Sequence, residues 1–565
     1  MTSADLRARA AAWMAADPDE RDRAELAGLL ADPGPETAAE LADRFDGRLR
    51  FGTAGLRGAV GAGPNRMNLA TVTVTTAALA RWLAGRDPDA AARGVVIGHD
   101  ARHRSDEFAI RAARVLAGAG IRVHLLPGRL PTPLLAYSVR RLTAAAGVMI
   151  TASHNPREDN GYKLYTDDGA QIVPPADTDI EAAIDAVGPL ADIPLAPAGS
   201  DLIGRAGDDV VQSYLDAICA ITPAPPSAAW LRFVYTPLHG VAGELALRAF
   251  AQAGFPEPDV VEAQFQPDPE FPTVVYPNPE EPGTLELALA QARRSAADLV
   301  IANDPDGDRL AVAVPDPDAP GGWRALTGDQ TGALLGDFLL RRLAADADVA
   351  MPEQLVASTI VSGTLLSKIA AAAGAQYVQT LTGFKWISRA ADLRAGAHFV
   401  FGYEEALGYE VTQTVRDKDG MSAALAILSL AADARSAGES LLEAYNALEI
   451  RHGVHLTAQL SMQCATTAEV MARLRAAAPR ELAGQPVTSV TDYTGGSWDL
   501  PSADVLSFQL TGARVVIRPS GTEPKIKAYL EVVQPVSYGM LSDARQTAAE
   551  RMERLREATA GLLGG

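Results

Sequence analysis

Short apolar runs alternate with amphipathic stretches through most of this chain. Val95-Val96-Ile97 predicts a strand, 107–116 a helix, 121–126 a strand and 133–142 a helix. A continuous apolar run at 144–150 predicts a buried strand, and Thr151-Ala152-Ser153-His154-Asn155-Pro156 follows it directly. The rhythm returns with a strand at 231–235, helices at 244–253 and 283–294, and a strand at 299–302. It returns again with a strand at 355–357, a helix at 364–373 and a strand at 398–401. Such βαβ alternation predicts mainly parallel sheets. From about Arg451 the pattern changes: strands at 455–460, 508–510, 515–517 and 526–533 bunch together before a long helix at 540–562. That order predicts a separate α+β domain.

Proline- and alanine-rich breaks at 188–199 and 315–322 mark boundaries. The expected domains are 1–200, 201–318, 319–450 and 451–565, the first preceded by two or three short charged helices over residues 1–49. The expected fold class is α/β, with three similar α/β domains and a C-terminal α+β domain.

A length of 565 residues agrees with roughly three to five domains. No segment reaches the roughly 18 apolar residues of a membrane span, and the alanine run at 10–12 reads as a helix rather than a leader. The net charge of −20 disfavours nucleic acid and anionic membranes as partners. It also opposes any anionic small molecule, so a site for one must carry its own cations. Arg57, Lys163, Arg309, Lys385, Lys418, Arg518 and Lys525 sit in or beside glycine-bearing loops. Cys219 and Cys464 lie far apart with no motif around them, and read as buried reduced thiols of a cytoplasmic protein.

Four loops concentrate chemistry. Ser153 lies just beyond a buried strand, where open α/β sheets place ligands. A serine nucleophile needs activation; Lys163, ten residues on in Asn160-Gly161-Tyr162-Lys163, reads as a base or a phosphate clamp brought back by a glycine turn. His154 supports Ser153 by hydrogen bonding. Thr151 and Asn155 stand where a nucleophile elbow requires glycine. Asp304, Asp306 and Asp308 alternate in one tight loop, so three carboxylates can converge on one hard cation. Arg309 and Pro315, at the sixth and twelfth positions, exclude an EF-hand.

Glu404 and Glu405 lie between Gly402 and Gly408. They can serve as acid and base or accept hydrogen bonds from sugar hydroxyls; neighbouring residues point differently, which favours the second. Arg518, Ser520, Gly521, Thr522 and Lys525 are a phosphate-binding inventory without the P-loop pattern. Arg57 stands among glycines in Gly52-Thr53-Ala54-Gly55-Leu56-Arg57-Gly58.

The Ser-His-Asn-Pro, Asp-x-Asp-Gly-Asp-Arg and Arg-x-Ser-Gly-Thr motifs, in this order, resemble the α-D-phosphohexomutase family over about 51–533. Gly402–Tyr409 as a loop, Gly383-Phe384-Lys385-Trp386 and Arg416-Asp417-Lys418-Asp419-Gly420 resemble its phosphopentomutase-like and glucose-bisphosphate-linked branch. The resemblance implies four domains with mixed sheets around a central cleft. It implies that Ser153 carries a phosphoryl group, that Asp304, Asp306 and Asp308 with Ser153 hold Mg²⁺, and that Arg57, Lys163 and His154 are catalytic. Arg309, Thr382, Gly383, Lys385, Glu404, Glu405, Lys418, Arg518, Ser520, Gly521, Thr522 and Lys525 would contact substrate. The implied reaction interconverts hexose 1- and 6-phosphates, glucose first, through a hexose 1,6-bisphosphate; mannose and pentose phosphates are alternatives, and the enzyme is a monomer or homodimer. The sugar loop departs from the usual Gly-Glu-x-Ser, having Ala406 in place of serine. A serine-dependent sugar phosphatase needs no second phosphate grip, and a non-catalytic sensor needs neither Ser153 nor the aspartates.

Overall fold

The computed structural model describes residues 3–345, 353–394, 396–464, 466–497, 500–520, 525–537 and 540–564. The chain forms two compact units: Met1–Val312 with Thr414–Leu425, and Ala313–Gln413 with Ala426–Gly565.

In the first unit, helices Ser3–Ala16, Glu20–Ala31 and Pro35–Phe45 close around Leu6, Ala10, Leu26, Leu41 and Phe45. Asp19 caps the second of them, its side chain accepting from the Arg21 backbone N–H. A six-stranded mixed sheet follows, with strands in the order Leu56–Ala59, Asp159–Thr166, Ala146–Ile150, Val95–His99, Val123–Arg129, Ile203–Arg205. The last four run parallel; the first two are antiparallel additions. Ala146–Ile150 is buried at every position, as a continuous apolar run between two neighbours requires. Helices Leu69–Arg86 and Ser105–Gly118 pack their apolar faces onto this sheet through Val72, Leu79, Phe108 and Leu116.

The second sheet has the order Trp323–Ala325, Leu310–Pro315, Leu299–Asn303, Phe233–Thr236, Asp259–Val260. Leu299–Asn303 and Phe233–Thr236 are parallel, and the first delivers the aspartate loop. The segment Thr414–Leu425 belongs to the first unit, where Tyr165 Oη donates to Asp417 at 2.7 Å and Tyr214 Oη to Asp419 at 2.9 Å.

In the second unit a sheet of four strands runs in the order Gln376–Thr380, Gln354–Thr359, His398–Glu404, Gly408–Glu410. Its first three strands are parallel and the last closes a hairpin. The C-terminal sheet, Val454–Gln463, Lys525–Gln534, Ala513–Pro519, Leu506–Leu510, Gln485–Asp492, Glu481–Leu482, is antiparallel throughout. Helix Leu541–Gly564 covers it with Ala548, Met552 and Leu555. The fold class is the expected one: α/β sheets followed by an α+β domain. Among the described residues no helix is long and apolar enough to cross a membrane. Both cysteines are free; Cys219 is buried as expected, but Cys464 is only half-buried.

Candidate active site

Ser153 is held just past the strand Ala146–Ile150 with φ +53°, a left-handed conformation unusual for a residue with a Cβ. Its Oγ donates to Asp304 Oδ2 at 2.9 Å and lies 3.1 Å from His154 Nδ1. Burial, with Arg309 and Arg57 close by, keeps the His154 imidazole well below its usual pKa and therefore neutral. The hydroxyl is itself buried, so its alignment is set by protein groups rather than by water.

The aspartate loop turns at Gly307, where φ is +71° and the N–H returns to the Asp304 carbonyl at 2.9 Å. One oxygen from each of Asp304, Asp306 and Asp308 falls within 4.8 Å of the others, and all three side chains are buried. Lys163 Nζ lies 2.6 Å from Asp306 Oδ2 and 2.9 Å from Asp308 Oδ2, with Lys418 Nζ 3.5 Å from the latter. Thr132 Oγ1 donates to Asp306 at 2.5 Å. Three buried carboxylates thus face two ammonium groups. Burial, then the charges of Asp308 and Asp306, push the Asp304 carboxyl well above its usual range. Burial opposes ionisation of Asp306 too, but Lys163 overcomes it and holds that group below the usual range. Asp306 Oδ1 and Asp308 Oδ1 are buried without a hydrogen-bond partner. Buried carboxylate oxygens without partners are costly, and all-oxygen donors in this arrangement suit a hard divalent ion such as Mg²⁺.

Lys163 does not sit on a glycine turn. It lies within the strand Asp159–Thr166, opposite Met149, and Asn160-Gly161 is part of that strand. Glycine is needed there because a Cβ at 161 would stand 2.5 Å from the Thr151 carbonyl and 2.8 Å from that of Leu56. Although burial disfavours its charge, Asp306 and Asp308 raise the Lys163 pKa, so it is a cation. A protonated ammonium held between two carboxylates has no lone pair with which to act as a base. Arg57, on the strand Leu56–Ala59, is half-buried and donates to Asn155 Oδ1 at 3.2 Å. Arg309 gives its N–H to Asp304 Oδ1 at 2.9 Å and its guanidinium to Glu280 at 3.2 Å.

A second group lies in the second unit. Glu404 ends its strand, and the turn to Gly408–Glu410 passes through Leu407 at φ +63°. Glu405 accepts from Thr359 Oγ1 at 3.2 Å and Ser362 Oγ at 3.1 Å. Burial, then Glu404, push its carboxyl up to about 7. The Arg518 guanidinium lies 5.8 Å over the Tyr529 ring and partly offsets that shift. Arg518, Ser520 and Lys525 come from one hairpin, in which Ser520 N–H donates to the Lys525 carbonyl at 2.8 Å. Gly521 and Thr522 lie outside the described residues. Thr382 and Lys385 are half-buried beside Gly383, whose φ is +102°.

Sequence reasoning missed Asp100, Arg102 and Thr132. The first two follow the strand Val95–His99, the neighbour of Ala146–Ile150, so the strand-end rule that found Ser153 applies to them too.

Residues 48–189, 212–319, 327–449 and 465–537 match, in turn, the alpha/beta/alpha domains I, II and III and the C-terminal domain of phosphoglucomutase/phosphomannomutase. The chain belongs to the phosphoglucomutase/phosphomannomutase family. A probable phosphomannomutase of Haemophilus influenzae is 42% identical over 475 residues, covering 82% of this chain and 93% of the relative. The phosphopentomutase of Mus musculus is 36% identical over 562 residues, covering 93% and 90%. A solved structure of a putative phosphomannomutase from Thermus thermophilus superimposes with a TM-score of 0.68 at 26% identity, covering 92% of this chain and 99% of that one. Members of this family are phosphomutases, and this chain is an intramolecular phosphotransferase acting on phosphosugars.

Proposed function

We propose that the chain interconverts hexose 1-phosphate and hexose 6-phosphate, with glucose as the lead substrate, through a phosphoserine at Ser153 and a hexose 1,6-bisphosphate. One observation carries this reading: a buried serine hydroxyl donates at 2.9 Å to Asp304 within a cluster of three buried carboxylates. Phosphoryl transfer asks mainly for positioning and charge neutralisation. Ser153 Oγ is the atom that gives and receives the phosphoryl group, and neutral His154 orients it. Asp304, Asp306 and Asp308 hold Mg²⁺, which when bound offsets charge on the phosphoryl oxygens. Lys163, Lys418, Arg57 and Arg309 add fixed cations to the same group. Glu404 and Glu405 accept from sugar hydroxyls. Arg518, Ser520 and Lys525, together with Gly521 and Thr522, take the phosphate that is not reacting.

The test pairs a variant with a substrate comparison. Ser153→Ala should lose nearly all mutase activity and still bind sugar phosphate, and intact-mass spectrometry of wild type should find one removable phosphoryl group. Full activity in Ser153→Ala defeats the reading. A second reading, pentose 1-phosphate as main substrate, draws on Ala406, since loss of the serine hydroxyl there removes one hexose contact. Steady-state kcat/KM for glucose, mannose and ribose 1-phosphates, with bisphosphate and Mg²⁺ present, decides among them.

A further inference from the structure

The turn that follows the strand Val95–His99 holds the Ser153 carbonyl directly and the Ser153 N–H through Thr151. The Ser153 carbonyl accepts from Arg102 Nη2 at 2.7 Å. The same guanidinium reaches the carbonyls of Asn155 at 2.5 Å, Pro156 at 2.6 Å and Asp159 at 3.0 Å. The Ser153 N–H donates to Thr151 Oγ1 at 2.9 Å, and Thr151 Oγ1 in turn donates to Asp100 Oδ2 at 2.6 Å. Asp100 is fixed by Ser105 Oγ at 2.6 Å and by the Arg102 N–H at 3.0 Å. Arg102 is only 4% exposed, and its guanidinium is covered by the Phe271 ring at 5.2 Å.

This arrangement is more than general packing. A free chain leaves φ +53° readily, because a serine Cβ crowds the backbone there. The loop keeps that conformation only where surrounding bonds over-determine it. A planar guanidinium meeting four carbonyls does so with a geometry that an ammonium does not reproduce. The Ser153 hydroxyl direction depends on its Cα, and its Cα is clamped on both sides.

We propose that Asp100, Thr151 and Arg102 form a positioning device that holds Ser153 in its left-handed conformation so that its hydroxyl aligns with the Asp304 carboxylate. Arg102 acts through the loop backbone and does not touch the reacting group. The inference rests on the reading of Ser153 as the phosphoryl carrier.

The experiment compares Arg102→Met, Arg102→Lys, Thr151→Val and Thr151→Ser with wild type and with Ser153→Ala. Each is assayed for thermal unfolding, for kcat and KM separately, and for the rate at which hexose 1,6-bisphosphate phosphorylates Ser153 by intact mass. Arg102→Met should lose at least a hundredfold in kcat with KM changed less than threefold, and Ser153 phosphorylation should slow in parallel. Arg102→Lys should recover only part of the loss. Thr151→Val should lose about tenfold, and Thr151→Ser, which keeps the hydroxyl, should stay near wild type. If Arg102→Met does not fold, the Thr151 pair decides alone. A wild-type kcat in folded Arg102→Met, or in Thr151→Val where that pair decides, overturns the proposal. So does a loss carried wholly by KM, or one that tracks the unfolded fraction. Full activity in Ser153→Ala would instead remove the nucleophile reading, and the two failures are told apart by that control.

Discussion

Glu405 keeps its proton to about pH 7 because it is half-buried and follows directly on Glu404. The sign of the consequence is fixed by linkage. Between the ordinary carboxylate range and about 7, the folded chain binds this proton and the unfolded chain does not. The contribution of Glu405 to stability is therefore fully present at low pH and falls as pH rises through that window. Glu405→Gln stays neutral, so the urea midpoint of wild type should drop relative to the variant between pH 5 and 7.5; a constant difference refutes this. At this scale the sequence was readable wherever chemistry is local. Ser153 and the three aspartates stand out because charged or nucleophilic residues crowd one loop at a strand end. Thr132, Asp100 and Arg102 did not, because each is ordinary alone and acquires meaning from a partner as distant as Asp306 or Asn155.

Among the elements, the parallel strands Val95–His99 and Ala146–Ile150 were legible from their apolar runs, and helix Ser105–Gly118 from its period. Helix Leu69–Arg86 was not. Its stretch Thr71-Val72-Thr73-Val74-Thr75-Thr76 is β-branched throughout, which reads as strand. Asn68 caps it by accepting from Thr71 N–H at 2.8 Å, and packing on the sheet decides the outcome. The strand Asp159–Thr166 was hidden for the opposite reason, since Asn-Gly announces a turn. Here the glycine serves a close approach between strands. Gly161→Ala places a methyl against two carbonyls, and overpacking of this kind costs about 1–3 kcal/mol. It also shifts the strand that carries Lys163. Denaturant unfolding should report that loss, and kcat should fall with it; an unchanged midpoint contradicts the close-packed register.

For the molecule as a whole, Mg²⁺ should act regionally. The carboxylate cluster, Lys163 and Lys418 all lie in the first unit. An ion bound at a hundred times its Kd stabilises what it binds by about 2.7 kcal/mol. Hydrogen exchange with and without Mg²⁺ should show new protection around 303–309, 161–165 and 416–420, with little change around 402–410 and 514–520. Protection spread evenly over both regions would contradict a single site at the aspartates. The return of Thr414–Leu425 to the first unit has a consequence in time as well as in space. Asp308 is synthesised roughly a hundred residues before Lys418, an interval of about 5–20 s at the pace of a ribosome. Through that interval the nascent first unit carries its acidic loop with one of two lysine partners still unmade. Lys418 therefore reaches Asp308 only after the intervening sheet has been translated, and a chain stopped near Gln413 would lack that partner of its acidic loop.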